Sequence, residues 1–366
     1  MNGTKGNDNG FNVLIDLMGK KGTSFYKLNV EKPHQDAEGL IAKDDVVIIK
    51  VNSQWHERGG TNTDLLKSII QAIIDHPEEF TGEIVVADNG QAQYGPTGKG
   101  GSLSYERNNA EDHSQSVQKV VDSFPSPLKV STYLWDNITL KSVYEYSEGD
   151  LDDGYIVNPL ENAATRIKVS YPKFKTKFGT YISLKKGIWN QETKTYDSGK
   201  LKFINVPILK THGGYYVTGS VKHYMGVVSD KLTKGSSHRS IGTGGMGTEM
   251  VETRIPTLNV LDAIWINALP MRGPSTPYSN ALRVNIIMAS KDPVALDYWA
   301  AKYVLLQVAK ARNYPFSYTV DPDSTGPSSF GKWLRLSMDE IKKAGYQTTC
   351  DEDQINVNIV SLNQGS

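Results

Sequence analysis

The stretch from Asp44 to Gly90 leaves this chain few ways to fold. "DDVVIIKVN" is a short β-branched apolar run bounded by charged residues, the pattern of a strand buried on both faces. "TNTDLLKSIIQAIIDH" follows. It sets Leu65, Leu66, Ile69, Ile70, Ile73 and Ile74 along one helical face, with Thr61, Asn62 or Thr63 available as N-cap. "EIVVADNG" is a second buried strand. Strand, helix and strand in that order form a right-handed crossover between parallel strands. A parallel sheet needs cover on both faces, so the predicted class is α/β: a mainly parallel sheet with helices on both faces.

The rest of the chain extends this pattern and interrupts it once. "FNVLIDLMG" reads as a helix, Gly90 to about Asn109 as a long polar loop, "SQSVQKVVDSF" as a helix and "LKVSTYLW" as a strand. From Lys141 to Gly199, aromatic and β-branched pieces such as "TRIKVSYPKF" and "TYISLKKGIW" are broken by polar turns, which predicts a β-hairpin-rich antiparallel insertion, placed as one wall of a cleft. Alternation resumes with "KLKFINVP", "TLNVLDAIWI" and "LRVNIIMAS". The last leads into "DPVALDYWAAKYVLLQVAKA", where Asp292 caps and Pro293 opens a helix. "SMDEIKKAGY" reads as a short capped helix. The expected organisation is an N-terminal α/β lobe over 1–140, the insertion over 141–199, and a C-terminal α/β lobe over 200–366. That last lobe either completes the same sheet or stands as a second one.

Composition narrows the partners. Forty basic and forty acidic residues balance, so no whole-molecule field draws the chain to nucleic acid. No apolar window is long enough to span a bilayer, and "MNGTKGNDNG" lacks the apolar centre of a leader peptide. The chain as written therefore reads as cytoplasmic, with an exported protein whose leader has been removed as the alternative. Its single cysteine, Cys350, excludes internal disulfides and an iron–sulfur cluster held within this chain. A homo-oligomer is compatible with all of this.

The densest chemistry lies in "PILKTHGGYYVTGSVKHYMG", residues 207–226. Lys210, Thr211 and His212 sit just past a buried strand, where open α/β sheets bind ligands. Thr218 is placed to cap a short helix over Gly219 to Met225 that Gly226 ends, with Lys222 and His223 about 100° apart and only one of them facing the crevice. Lys200, Lys202, Lys210, Lys222, Lys231, Lys234 and Arg239 have only Asp230 as an acidic neighbour in sequence, a local excess that suits a bound anion. A lysine buried here beside other cations would have its pKa lowered toward that of a useful base.

The chain resembles domain-of-unknown-function (DUF) family 362 from about Val46 to Leu305. The resemblance rests on "VVIIKVN" with "TNTDLLKSIIQAI", "INVPILKTH" with "VTGSVKHYMG", "LNVLDAIW" and "ASKDPVALDYWAAKYV". The block with Lys210, His212, Thr218, Gly219, Lys222 and Gly226 is its most specific part. Some members of the family carry a ferredoxin-like segment, which one cysteine cannot supply here. A shorter similarity joins the strand-end histidine and the glycine-punctuated "TG…K" segment to nickel-pincer lactate racemases. It implies histidine acid–base chemistry on a small carboxylate, and it is too short to carry their cofactor across.

Other segments supply further candidates. Asn52 ends the first strong strand and either hydrogen-bonds a ligand or pins the loop "SQWHERGGTNT", which brings His56 and Arg58 to the same edge. Asn62, at a helix start, either turns N–H groups toward an anion or simply caps. Asp88 orients a basic group, binds a cation or forms a turn; Asp262 admits the same readings. "IGTGGMGTE" meets neither nucleotide-loop pattern, and is expected to be a lid hinge carrying His238 and Arg239 over the crevice. Arg272 in "MRGPST" is another anion-pairing candidate. His212, His223 and His238 lack metal-ligand spacing, so no metal is assigned and the cofactor stays open.

The reading that joins these residues is an enzyme acting on a small anionic ligand, a carboxylate or phosphate, in a crevice between the sheet and the insertion. Lys210 and Lys222 hold the anion, His212 with His223 moves a proton, and the chemistry is of the isomerase or lyase type. Asn52, His56, Arg58, Asn62, Asp88, Thr218, His238, Arg239 and Arg272 are the substrate-binding candidates. The alternative is a non-catalytic ligand-binding or redox-cofactor-associated assembly protein using the same basic crevice.

Overall fold

The computed structural model describes residues 9–28, 39–91 and 101–362. Helix α1 (Asn9–Lys20) leads to two short strands, β1 (Tyr26–Lys27) and β2 (Ile41–Ala42), paired in parallel. The crossover read from sequence follows as β3 (Val46–Lys50), α2 (Thr63–Ile74) and β4 (Glu83–Asp88), then α3 (Val117–Asp122) and β5 (Val130–Leu134). Asn62 is the residue that caps α2, its Oδ1 accepting from the N–H groups of Asp64 and Leu65. Part of the predicted loop from Gly90 to Asn109 lies outside the described residues; residues 101–109 form no helix or strand.

The insertion is a five-stranded antiparallel sheet: β6 (Gly154–Val157), β7 (Ser170–Lys175), β8 (Tyr181–Ser183), β9 (Gly187–Asn190) and β10 (Thr195–Asp197). The chain then returns to the main sheet with β11 (Leu201–Asn205), β12 (Ile208–His212) and β13 (Tyr216–Thr218). After α4 (Ser236–Ser240) and α5 (Gly245–Glu252) come β14 (Leu258–Asn267) and β15 (Leu282–Ser290). Helices α6 (Pro293–Ala300) and α7 (Leu306–Ala311) follow, joined through a π-helical turn, and α8 (Phe330–Lys343) closes the order.

The main sheet has eight strands, ordered β13-β12-β14-β11-β3-β4-β5 with β15 also on β14. β11 lies between β3 and β14, so the strands of the two halves of the chain join side by side in one layer. All pairs are parallel except β12–β13 and β14–β15. Alternating residues divide between two cores. Val47, Ile49, Ile84 and Val86 pack with α1, α2 and α3, while Val46, Ile48, Val85 and Ala87 pack with the insertion, α5, α6 and α8. No helix of the described residues is long and apolar enough to cross a membrane.

Three local expectations are corrected here. The glycine-rich run 241–249 is packed rather than a lid: a β-carbon on Gly247 would run into the Ser337 carbonyl and one on Gly244, at φ +90°, into Leu336, so α5 sits against α8 through bare backbone. Helix α8 starts at Phe330, a full two turns before the capped start read at Ser337, because Phe330, Trp333 and Leu334 are buried anchors. The turn after β13 is a 3-10 helix over Lys222–Gly226, and its entry is held by Asp297, not Thr218. The Asp297 carboxylate accepts from the N–H groups of Ser220 (2.6 Å) and Val221 (2.9 Å).

Candidate functional site

β3, β4 and the kinked run β11–β12 end side by side, and a cavity of about 320 Å³ opens at their carboxyl ends. That volume lies near the lower bound for small-molecule sites. Lys50 is the last residue of β3 and Asp88 the last of β4. Their ion pair, Nζ to Oδ1 at 2.9 Å, is buried, and the other carboxylate oxygen of Asp88 accepts from the N–H (2.7 Å) and hydroxyl (3.1 Å) of Ser53. Gly226 closes over the pair. A β-carbon there would overlap both Asp88 Oδ1 and Lys50 Nζ, which accounts for a glycine at the end of the Lys222 turn.

Lys210 projects from β12 and is fully buried. Its Nζ donates to the Gly59 carbonyl at 2.5 Å and lies 5.9 Å from the centre of the Trp55 ring. Lys222 Nζ stands 5.6 Å over the Tyr215 ring and has no hydrogen-bond or ion-pair partner among the described residues. Neither lysine has a carboxylate within ion-pair distance among the described residues. Burial lowers all their pKa values, with repulsion from neighbouring lysines added at Lys210 and Lys222: Lys50 falls to about 8 despite Asp88, Lys222 to about 7, and Lys210 well below the ordinary lysine value.

The histidines are held in opposite tautomers. Asn205, the register partner of Lys50, donates through Nδ2 to the Ser220 carbonyl and to Asn259 Oδ1, so its own Oδ1 faces His223 Nδ1 at 2.7 Å. An amide oxygen only accepts, so the proton sits on Nδ1 and Nε2 keeps a lone pair; Nε2 is buried with no hydrogen-bond partner among the described residues. His212 is the reverse. The N–H of Gly214 donates to its Nδ1 (3.2 Å), which places the proton of the neutral ring on Nε2. Burial first, then the Lys222, Lys210 and His238 charges, lower the His212 pKa to about 2. Burial and the neighbouring lysines, chiefly Lys50 and Lys210, likewise keep His223 neutral, against a smaller opposing contact with the Val51 backbone.

His238, one-third exposed, also lines the cavity, and its Nδ1 meets Asp230 Oδ2 at 2.9 Å while its N–H donates to Asp230 Oδ1 at 3.1 Å. Burial raises the Asp230 pKa, but hydrogen bonding and charge from His238 outweigh it and leave the carboxyl below its ordinary value. Asn52 Oδ1 and Thr218 Oγ1 are buried at the cavity without partners among the described residues.

The structure thus brings Lys210, His212, Lys222, His223, Asn52, Asp88, Thr218 and His238 to one cavity. Lys222 and His223 both line it, where a helical turn had allowed only one; the 3-10 turn sits at the cavity floor and presents its whole buried N-terminal side. Other candidates lie elsewhere. His56 is exposed beside Glu57. Arg58 is a buried strut, donating to Asn109 Oδ1 and the Ala110 carbonyl with its guanidinium 4.2 Å from the centre of the Trp265 ring. Asn62 is a helix cap tied to Asp262, whose Oδ2 accepts its N–H. Arg239 turns back to the Lys234 carbonyl, and Arg272 is exposed while neighbouring Pro274 reaches the cavity. Lys200 and Lys202 pair with Asp44 and Asp45 at the opposite ends of the strands. The insertion contributes no lining residue. It supports the floor from behind, Tyr155 OH accepting from Asn89 and Ser170 Oγ from the Ser229 N–H.

Sequence reasoning passed over Lys50, Asn205 and Asp230. Lys50 carried a signal, as the one charge ending an otherwise apolar strand beside Asn52. Asn205 and Asp230 act through histidines 18 and 8 residues away and left no local pattern. No group of three or more His, Cys, Asp or Glu among the described residues is arranged to hold a metal ion.

Residues 191–302 match the model of the family described as Domain of unknown function (DUF362). That span holds Lys210, His212, Lys222, His223 and Asp297; Lys50, Asn52 and Asp88 come from outside it. No curated protein and no solved structure matches the chain.

Proposed function

Taking residues 191–302 as a member of the DUF362 family, we propose that the chain is an enzyme that binds a small anion in this cavity and moves a proton next to its carbonyl or carboxylate, as an isomerase or lyase does. The observation that carries the reading is the placement of Lys210 and Lys222, both buried without a carboxylate partner, beside two neutral histidines in opposite tautomers. Unpaired buried ammonium groups are costly, and an anion entering between them removes that cost. The same ammonium groups stabilise negative charge developing on a carbonyl oxygen.

The proton path follows from the tautomers. His223 Nε2 holds a lone pair and takes the proton from carbon; the C–H bonding pair moves into the adjacent carbonyl, leaving an enolate oxygen against lysine. His212 Nε2–H donates a hydrogen bond to that oxygen without giving up its proton, and the imidazolium formed on His223 returns the proton to the second atom, which restores the neutral ring. Burial is the main reason both imidazoles are weakly basic, and lysine repulsion adds to it; an anion between the lysines offsets that second part, so the base strengthens when the substrate is bound.

The test is deuterium incorporation from heavy water, followed by NMR over a panel of three- to six-carbon oxo acids, hydroxy acids and sugar phosphates. At least one compound should exchange the hydrogen next to its carbonyl. His212→Gln and His223→Gln should retain binding and lose exchange, and Lys210→Ala should lose both. Full exchange in His223→Gln overturns the assignment of the base, and binding without exchange by any compound of the panel favours a carrier over an enzyme.

A further inference from the structure

The charges and donors around the cavity say more about the ligand than its sign. Lys50 is matched by Asp88, so that pair is neutral toward a ligand. Lys210 and Lys222 have no ion-pair partner among the described residues: Asp262 is near enough to favour the charged form of Lys210, but spends its carboxylate on the N–H groups of Asn62 and Ile264 and does not line the cavity. Two lysines without a paired carboxylate thus face one small space. Their donors also outnumber what one carboxylate can accept. Lys210 uses one N–H on Gly59 and keeps two, Lys222 keeps three, and the Thr218 hydroxyl is unassigned. A carboxylate offers about four lone-pair positions on its two oxygens, fewer than these donors, whereas the three terminal oxygens of a phosphate offer about six and the four of a dicarboxylate about eight.

Resting on the anion-site reading above, we infer that the cavity selects dianions over monoanions, and that Lys222 is the residue that makes the selection. Lys210 is anchored to the Gly59 carbonyl and is set to engage the first negative charge. Lys222, with no protein partner, is neutralised only by a second. The chemical class is a compact phosphate, phosphate monoester or dicarboxylate that fits about 320 Å³.

Titration calorimetry on the full chain at pH 6.5, with acetate, malonate and sulfate as probes, tests this. Malonate or sulfate should bind at least tenfold more tightly than acetate. Lys222→Met, which keeps the side-chain volume, should lower dianion affinity at least tenfold more than acetate affinity and so abolish the discrimination. Thermal melting of the variant must show a cooperative transition; Lys222→Gln serves if the methionine variant does not fold. Equal affinity for acetate and the dianions overturns the inference but leaves the anion site standing. Discrimination that survives in the Lys222 variant also overturns it. Binding of none of the three probes removes the anion site itself, and this inference with it.

Discussion

Lys50 and Asp88 form a buried ion pair of 2.9 Å across the carboxyl ends of two adjacent parallel strands, and the backbone of Gly226 lies directly against it. The pair fixes the floor on which the Lys222 turn rests. Gly226→Ala would insert a methyl group into both partners, with backbone on its other side. The expected cost is about 1–3 kcal/mol, as for overpacking in a close-packed interior, read as a lowered urea midpoint, with weakened anion binding. An unchanged midpoint would show that the turn can lift away freely.

Asp297 reaches from α6 to the N–H groups that open this turn, and Gly219 has no side chain to obstruct it. Asp297→Ala strands two buried donors and should destabilise by about 1–3 kcal/mol. Asp297→Asn keeps one acceptor and should cost less. Hydrogen exchange at residues 220–226 should quicken in both, more in the alanine variant, if the carboxylate orders the turn.

The unliganded protein should gain stability with pH above neutrality. Lys222 has a folded pKa of about 7 and Lys50 of about 8, against 10.5 for an ordinary lysine. Between those values and 10.5 the unfolded chain holds more protons than the folded one, so unfolding becomes less favourable as pH rises. The buried carboxyls Asp262 and Asp297, with folded pKa values of about 6 and about 7, act in the opposite sense, as does Glu249, which burial raises well above its ordinary value; Asp297 is still titrating at pH 7. Comparing wild type with Lys222→Met from pH 7 to 10 isolates the lysine, and the variant should show the shallower rise. Anion binding should run the other way, weakening as Lys222 loses its proton.

At neutral pH, long-range proton–nitrogen NMR should find His223 protonated on Nδ1 and His212 on Nε2. Asn205→Ala removes the acceptor that holds the first tautomer and should leave His223 in a mixture, with His212 unchanged. The same tautomer on both rings of the wild type would contradict the donor and base assignments.

Arg239→Ala and Arg272→Ala are the counter-case. Both side chains are exposed and away from the cavity lining, so each should change stability by no more than about 0.5 kcal/mol and leave anion affinity unaltered. A tenfold loss of affinity in either would mean the site extends beyond the cavity described.

Much of this protein was readable from local pattern. Buried runs such as "VVIIK" and "EIVVAD" set the parallel layer, the spacing from Leu65 to Ile74 set α2, and Asp292 with Pro293 marked the start of α6, because period and capping act within one or two turns of chain. Lys210, His212 and Lys222 could be grouped because they follow one strand closely. What only tertiary structure decided were relations across long separations. Asp297 rather than Thr218 holds the Lys222 turn, Asp88 is matched to Lys50, Asn205 sets the tautomer of His223, and the insertion stands behind the cavity instead of beside it. The physical reason is that charge compensation and hydrogen-bond satisfaction depend on which groups meet once water is excluded. Arg58 and Arg272 have the same chemistry in sequence, yet packing makes one a buried strut and leaves the other in solvent.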